Sequence, residues 1–99
     1  MPADLIVLPE AERDMTEAYD WYEDRQSGLG MRFLRNVNEC FQVICRSPKA
    51  FACIHEQYRR HVVRRFPYVV IYECDDDTVT VYSVFHCSQD PSKWRRRLP

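Results

Sequence analysis

The sequence predicts an α+β fold on three observations. Two stretches in the first half space their apolar residues as helices do, short runs rich in β-branched and aromatic residues fill the second half, and Pro48 stands between the two patterns. The expected architecture is an N-terminal strand, an αα-hairpin packed on a mainly antiparallel four-stranded sheet, and a short C-terminal helix, all in one domain over residues 1–99. A chain this short buries only roughly 60 to 65% of its unfolded surface, which favours a surface site or a binding surface over an enclosed one.

Each element has a local reason. Leu5-Ile6-Val7-Leu8 is a short apolar run stopped by Pro9, which suits the first turn of a helix because the N–H it lacks would be unpaired there. From Glu10 to Arg25, Ala11, Met15, Ala18, Tyr19 and Tyr22 recur at helical spacing, with acidic residues between them. Ser27-Gly28-Leu29-Gly30 holds both glycines of the chain and is the natural turn into a second helix, Leu29 to Arg46. Phe33, Leu34, Val37, Cys40, Phe41 and Ile44 line one face of that helix, and Ser47-Pro48 ends it. Three strands follow, over Tyr58–Arg65, Tyr68–Cys74 and Thr78–His86, separated by Pro67 and by Asp75-Asp76-Asp77. Strict alternation in the last strand puts Val79, Val81, Ser83 and Phe85 under the helices and Thr80, Tyr82, Val84 and His86 on the open face. Asp90-Pro91 reads as the cap and first turn of a helix over Ser92–Arg97.

Charge and cysteine usage narrow the function classes. Fourteen basic and fifteen acidic residues nearly cancel, yet residues 1–27 sum to −6, 28–57 to +2 and 58–99 to +3. An anionic partner is therefore expected at the C-terminal part, unless that charge is simply a solvated tail. No apolar run approaches the roughly 20 residues of a membrane span, and no signal-peptide pattern precedes the first, so a cytoplasmic protein without membrane contact is expected. Cys40, Cys45, Cys53, Cys74 and Cys87 are odd in number and form no C-x-x-C pair, which argues against a disulfide framework. A metal site from Cys53, His55, His86 and Cys87 lacks the close ligand pairs of zinc sites, so neither metal nor cofactor is expected.

Four motifs in order then suggest a family. Pro9-Glu10-Ala11-Glu12 opens the first helix and Gly28-Leu29-Gly30-Met31-Arg32-Phe33-Leu34 the second. Arg64-Arg65-Phe66-Pro67-Tyr68-Val69-Val70-Ile71-Tyr72 crosses two strands, and Val84-Phe85-His86 precedes Asp90-Pro91-Ser92-Lys93-Trp94-Arg95-Arg96. Over nearly the whole chain this pattern resembles the RelE/ParE toxin superfamily, most nearly its ParE branch, often described as plasmid stabilisation proteins. The resemblance implies the toxin of a bacterial type II toxin–antitoxin pair, with a cognate antitoxin as partner. RelE-like members cut messenger RNA on the ribosome, whereas ParE-like members bind DNA gyrase without a demonstrated need for a catalytic centre. An orphan that binds only an antitoxin is a third reading.

Metal-free RNA cleavage needs a base, cations for the phosphorane and an acid for the leaving oxygen. Glu56 could supply the base, Arg60 and Arg64 on one face of their strand the cations, and His86 the acid, with Tyr82 as a substitute aromatic. Each also has a plainer role: a packing tyrosine, a strand-end histidine, arginines that keep a sheet edge soluble. The nuclease branch tends to carry a functional aromatic near the C-terminus, whereas here His86 is followed by Cys87 and the chain ends Arg97-Leu98-Pro99. The reading that follows is a ParE-like toxin that inhibits gyrase by binding, with the nuclease as alternative. Trp21, which falls off the buried stripe of its helix, and Lys93, Trp94, Arg95, Arg96 and Arg97 are the candidate target or antitoxin contacts. Trp94 could instead anchor the last helix and leave the arginines exposed. Exposed apolar surface of the kind an antitoxin covers would also let the isolated chain pair with itself as a homodimer.

Overall fold

The computed structural model describes residues 2–99. β1 (Asp4–Val7) leads directly into α1 (Pro9–Arg25), with Pro9 in the first helical turn, and α2 (Leu29–Arg46) returns antiparallel to it. The second half holds β2 (Cys53–His55), β3 (Tyr58–Val62), β4 (Tyr68–Asp75), β5 (Thr78–His86) and the short α3 (Ser92–Arg95). The strands form one sheet in the order β1-β5-β4-β3-β2, with β1 parallel to β5 and all other pairs antiparallel. The sheet therefore has five strands where the sequence suggested four. β2 was missed because three residues are too few to show alternation, and it exists only by pairing Cys53 with Arg59 and His55 with Tyr58.

The turn between the helices is held from within α1. The Glu23 carboxylate accepts the backbone N–H groups of Gly28 and Gly30, both at 2.9 Å, and so satisfies donors that the start of α2 would otherwise leave unpaired. Gly28 has φ +87°, and a Cβ on Gly30 would lie 2.7 Å from the Tyr19 carbonyl oxygen, so both glycines are required by geometry.

The hairpin buries its apolar stripe on one sheet face. Phe33, Val37, Cys40, Phe41 and Ile44 of α2 and Ala11 and Ala18 of α1 pack on Val70, Tyr72, Val79, Val81 and Val84. The face is closed by the Tyr72 hydroxyl, which donates to the Pro48 carbonyl at 2.7 Å. A second, smaller core lies on the opposite face, where Trp94 of α3 covers Val69, Ile71 and Phe85 with Ile54 and Leu98 beside it.

This division corrects the strict alternation expected for β5. Ile71 pairs with Ser83 but Tyr72 pairs with Val81, so Tyr82 is an extra residue in a β-bulge. Beyond the bulge the sides exchange: Val84 joins Val79 and Val81 under the helices, while Phe85 faces Trp94. β3 is likewise shorter than the run Tyr58–Arg65. It ends at Val62, and Arg64 and Arg65 lie in the loop before β4, Arg65 with φ +68°.

Candidate functional site

The strand pairings decide which candidate residues meet, because residues directly opposite in neighbouring strands share a face. Arg60 pairs with Ile71 and therefore lies on the Trp94 side of the sheet. His86 pairs with Tyr68, which packs into the helix-side core, so it lies on the other face. Glu56 sits in the β2–β3 turn with φ +51°, and Arg64 lies in the loop at the opposite end of β3. Glu56, Arg60, Arg64, Tyr82 and His86 are thus spread over both faces and both ends of the sheet.

Their surroundings explain what each does. Tyr82 stands edge-on to Tyr58, with ring centroids 5.5 Å apart, and Glu73 lies close by. Burial, and after it the charge of Glu73, pushes the Tyr82 hydroxyl above its ordinary pKa, so at neutral pH it is a hydrogen-bond donor and not a base. His86 accepts the Ser88 N–H on Nδ1 at 3.0 Å, with Ser88 Oγ 2.7 Å from the same nitrogen, which assigns the ring proton of the neutral form to Nε2. Arg59 is a strut: its Nη1 donates to the carbonyls of Lys49 at 3.2 Å and Phe51 at 2.5 Å, tying the segment after α2 to β3.

His86 belongs to a groove of about 540 Å³ between α1 and the ends of β4 and β5, with Trp21, Tyr22, Tyr68, Ser88 and Glu17 among its walls. Trp21 is 53% exposed, as its position off the stripe suggested, and the Arg25 guanidinium lies 4.3 Å from the centre of its ring. A second groove, of about 490 Å³ and mostly apolar, runs between β1 and α2 and is lined by Pro2, Leu5, Phe41 and Cys45. β1 is an edge strand, and its Leu5 and Ile6 are 41% and 48% exposed.

The C-terminal segment divides into buried and free residues. Trp94 is buried against the sheet, the anchoring role open to it from the sequence. Arg97 is not the exposed cation that a solvated tail implied. Its Nη1 and Nη2 fork onto the Asp14 carboxylate at 2.5 and 2.9 Å, and Nη1 also donates to Ser83 Oγ at 3.0 Å. The same carboxylate accepts the Val84 N–H at 3.1 Å, just beyond the point where β1 stops pairing with β5. Arg97 and Asp14 are 83 positions apart and carry no local sequence signal of their pairing. The surface that this segment offers a partner is Lys93, Arg95 and Arg96.

The possible metal ligands stay separate: Cys53 and His55 lie on edge strand β2, His86 and Cys87 at the end of β5, and no group of three or more His, Cys, Asp or Glu could hold a metal ion among the described residues. No helix among the described residues is long and apolar enough to cross a membrane.

The family model for the ParE toxin of type II toxin–antitoxin systems (parDE) matches residues 5–91, from the edge strand to the start of α3. The chain belongs to the ParE toxin family. Toxin ParE2 of Mycobacterium tuberculosis, in two strains, is 28% identical to it over 82 residues, which cover 82% of this chain and 78% of the relative. A solved structure of the chromosomal ParDE toxin–antitoxin system of P. aeruginosa superposes with a TM-score of 0.76 over 85% of this chain and 95% of that one. At 12% identity it supports the ParE fold alone. The toxin–antitoxin complex RelBE2 of M. tuberculosis superposes with a TM-score of 0.62 at 25% identity, over 87% of this chain and 99% of that one. ParE and RelE relatives thus share this scaffold, and the chain is a type II toxin of the RelE/ParE superfamily.

Proposed function

We propose that this toxin acts in the cytoplasm by binding DNA gyrase and blocking it, without a catalytic step of its own, and that a cognate antitoxin holds it inactive. The observation that supports binding over cleavage is the separation of Arg60 and His86 onto opposite sheet faces. In-line cleavage needs base, cation and acid around one phosphate, within hydrogen-bond reach of it. The ParE family match favours the same reading. The family match to toxins of type II toxin–antitoxin systems and the likeness to the RelBE2 toxin–antitoxin complex support an antitoxin as partner. Its contacts on this chain are assigned to Trp21 and to the exposed apolar edge at Leu5 and Ile6, where a second copy would pair when antitoxin is lacking. Lys93, Arg95 and Arg96 are assigned to the target.

Supercoiling by purified gyrase, with the toxin titrated in and cleaved DNA complexes assayed alongside, tests the reading. Inhibition with trapped double-strand breaks is the expected result. The reading fails if folded, antitoxin-competent toxin has no effect at micromolar concentration. Ribosome-dependent messenger RNA cleavage that disappears with Arg60→Ala and His86→Ala would replace it with the nuclease.

A further inference from the structure

We propose that the groove between α2 and the β3–β4 loop binds the phosphodiester backbone of duplex nucleic acid. Arg32 and Arg35 on α2 and Arg64 and Arg65 in the loop line a cleft of about 310 Å³, with Asn36 and Glu39 as its other walls. Four cations against one carboxylate leave a local excess of +3. Among the described residues both ion pairs within 4.0 Å belong to Arg97, so none of these four arginines has a carboxylate partner, not even Glu39. Guanidinium groups gathered in this way repel one another until an anion lies between them, and their planar forks match phosphate oxygens.

The loop is also built to hold its arginines in place. Asn36 Nδ2 donates to the Arg64 carbonyl at 2.8 Å, fixing the loop to α2. On either side of the arginine pair, Val63 is buried in the helix-side core and Phe66 packs edge-on to Tyr22 and Phe33. Between these anchors Arg65 takes the left-handed conformation, with φ +68°, that is strained for any residue but glycine. A loop needed only for reversal would be served by glycine there. Arg65 instead puts a cation on the wall of the cleft.

The chemistry of the walls selects the ligand. The cleft has no apolar or aromatic wall residue, whereas a peptide partner would need a pocket for an anchoring side chain and a single strand would need rings on which to stack its bases. A duplex backbone needs neither, only spaced cations. The exposed acids of α1, Glu10, Glu12, Glu17 and Asp20, lie outside this cleft and repel a polyanion, so they do not compete with the arginines for it.

Fluorescence anisotropy of the full chain with a labelled duplex of arbitrary sequence tests this independently of gyrase. Binding is expected at 50 mM salt and should weaken about 40-fold by 200 mM if three phosphates are neutralised. The variant R32Q/R35Q/R64Q/R65Q is expected to lose binding by at least about tenfold and to flatten the salt dependence, while K93Q/R95Q/R96Q keeps most of it. Far-UV circular dichroism establishes that the variants are folded. If the fourfold variant is not, R32Q/R35Q and R64Q/R65Q are measured separately, each losing about half of the salt slope. Three results would overturn the proposal: no duplex binding at 50 mM salt, unchanged binding in the arginine variants, or tighter binding of polyglutamate or single-stranded RNA than of duplex at the same arginines.

Discussion

At the scale of single residues, the Asp14–Arg97 pair joins the C-terminal segment to α1. The two side chains are 16% and 29% exposed, and the carboxylate also serves the Val84 N–H, so removing the guanidinium leaves a half-buried charge with one backbone donor. Arg97→Ala is expected to cost about 1 to 3 kcal/mol in urea unfolding. Arg97→Lys should recover part of that, since it restores the charge but not the fork. Burial pushes the Cys40 thiol and the Tyr72 hydroxyl each up to about 12. Both stay protonated in the fold at pH values where the unfolded chain ionises them, so their contribution is complete below about pH 9 and is lost as pH rises toward 12. Melting temperature should therefore fall over that range, less steeply in Tyr72→Phe. His61, stacked on Phe51 with centroids 4.0 Å apart, is shifted the other way: burial lowers its pKa. Its contribution is present at neutral pH and lost on acidification through and below the ordinary histidine range.

At the scale of elements, the αα-turn and α3 are the sensitive points. Gly30→Ala drives a methyl group into the Tyr19 carbonyl and should cost about 1 to 3 kcal/mol as overpacking. Glu23→Ala, which removes the acceptor for two backbone donors, should cost about 0.5 to 2 kcal/mol. Both are read from denaturant midpoints. Only four residues of α3 are helical, and it holds its place through Trp94 and the Asp90 carboxylate, which accepts the Ser92 N–H at 3.0 Å. That hydrogen bond holds Asp90 below the usual carboxylate range. Trp94→Ala is expected to cost about 3 to 5 kcal/mol and to uncover the second core, seen as increased binding of a hydrophobic dye. The two long helices and their turn were legible in the sequence because periodicity of 3.6, two glycines and two prolines act locally. By contrast, α3 stops at Arg95, two residues short of the expected end, with Pro91 and not Asp90 at its N-cap. β2 and the bulge were not legible. A three-residue strand has no period to read, and a bulge is a property of two strands in register, so Tyr82 looked like any other alternating residue.

At the scale of the whole molecule, the two sheet faces have different occupants, the αα-hairpin on one and α3 on the other. The register of β3, β4 and β5, with the extra residue at Tyr82, puts Arg60 on the α3 side and His86 on the hairpin side. Joint substitution Arg60→Ala and His86→Ala should therefore leave growth arrest intact in cells lacking the antitoxin, provided the doubly substituted chain is folded. Loss of arrest in a folded double variant would count against the binding reading. The candidate contacts divide in the same way. Trp21 and the arginines of α3 were visible as residues off a stripe or beyond a strand, but exposure of Arg95 and burial of Trp94 were decided by what lay beneath them. The groove of Arg32, Arg35, Arg64 and Arg65 was not visible at all, because its two halves are separated by 28 residues or more and meet only when Asn36 docks on the loop.

By itself the sequence determined the order and kind of the main elements, the acidic helix, the basic second half and the resemblance to a toxin superfamily. All of these are set by spacing along the chain, by the chemistry of turns or by motifs in order. The tertiary structure alone decided on which face each side chain of β5 lies, that Arg97 is a lock and not a free cation, and that four unpaired arginines share one cleft. Those facts depend on strand register and on contacts between residues far apart in the chain, where one extra residue at Tyr82 is enough to exchange the two sides of the sheet.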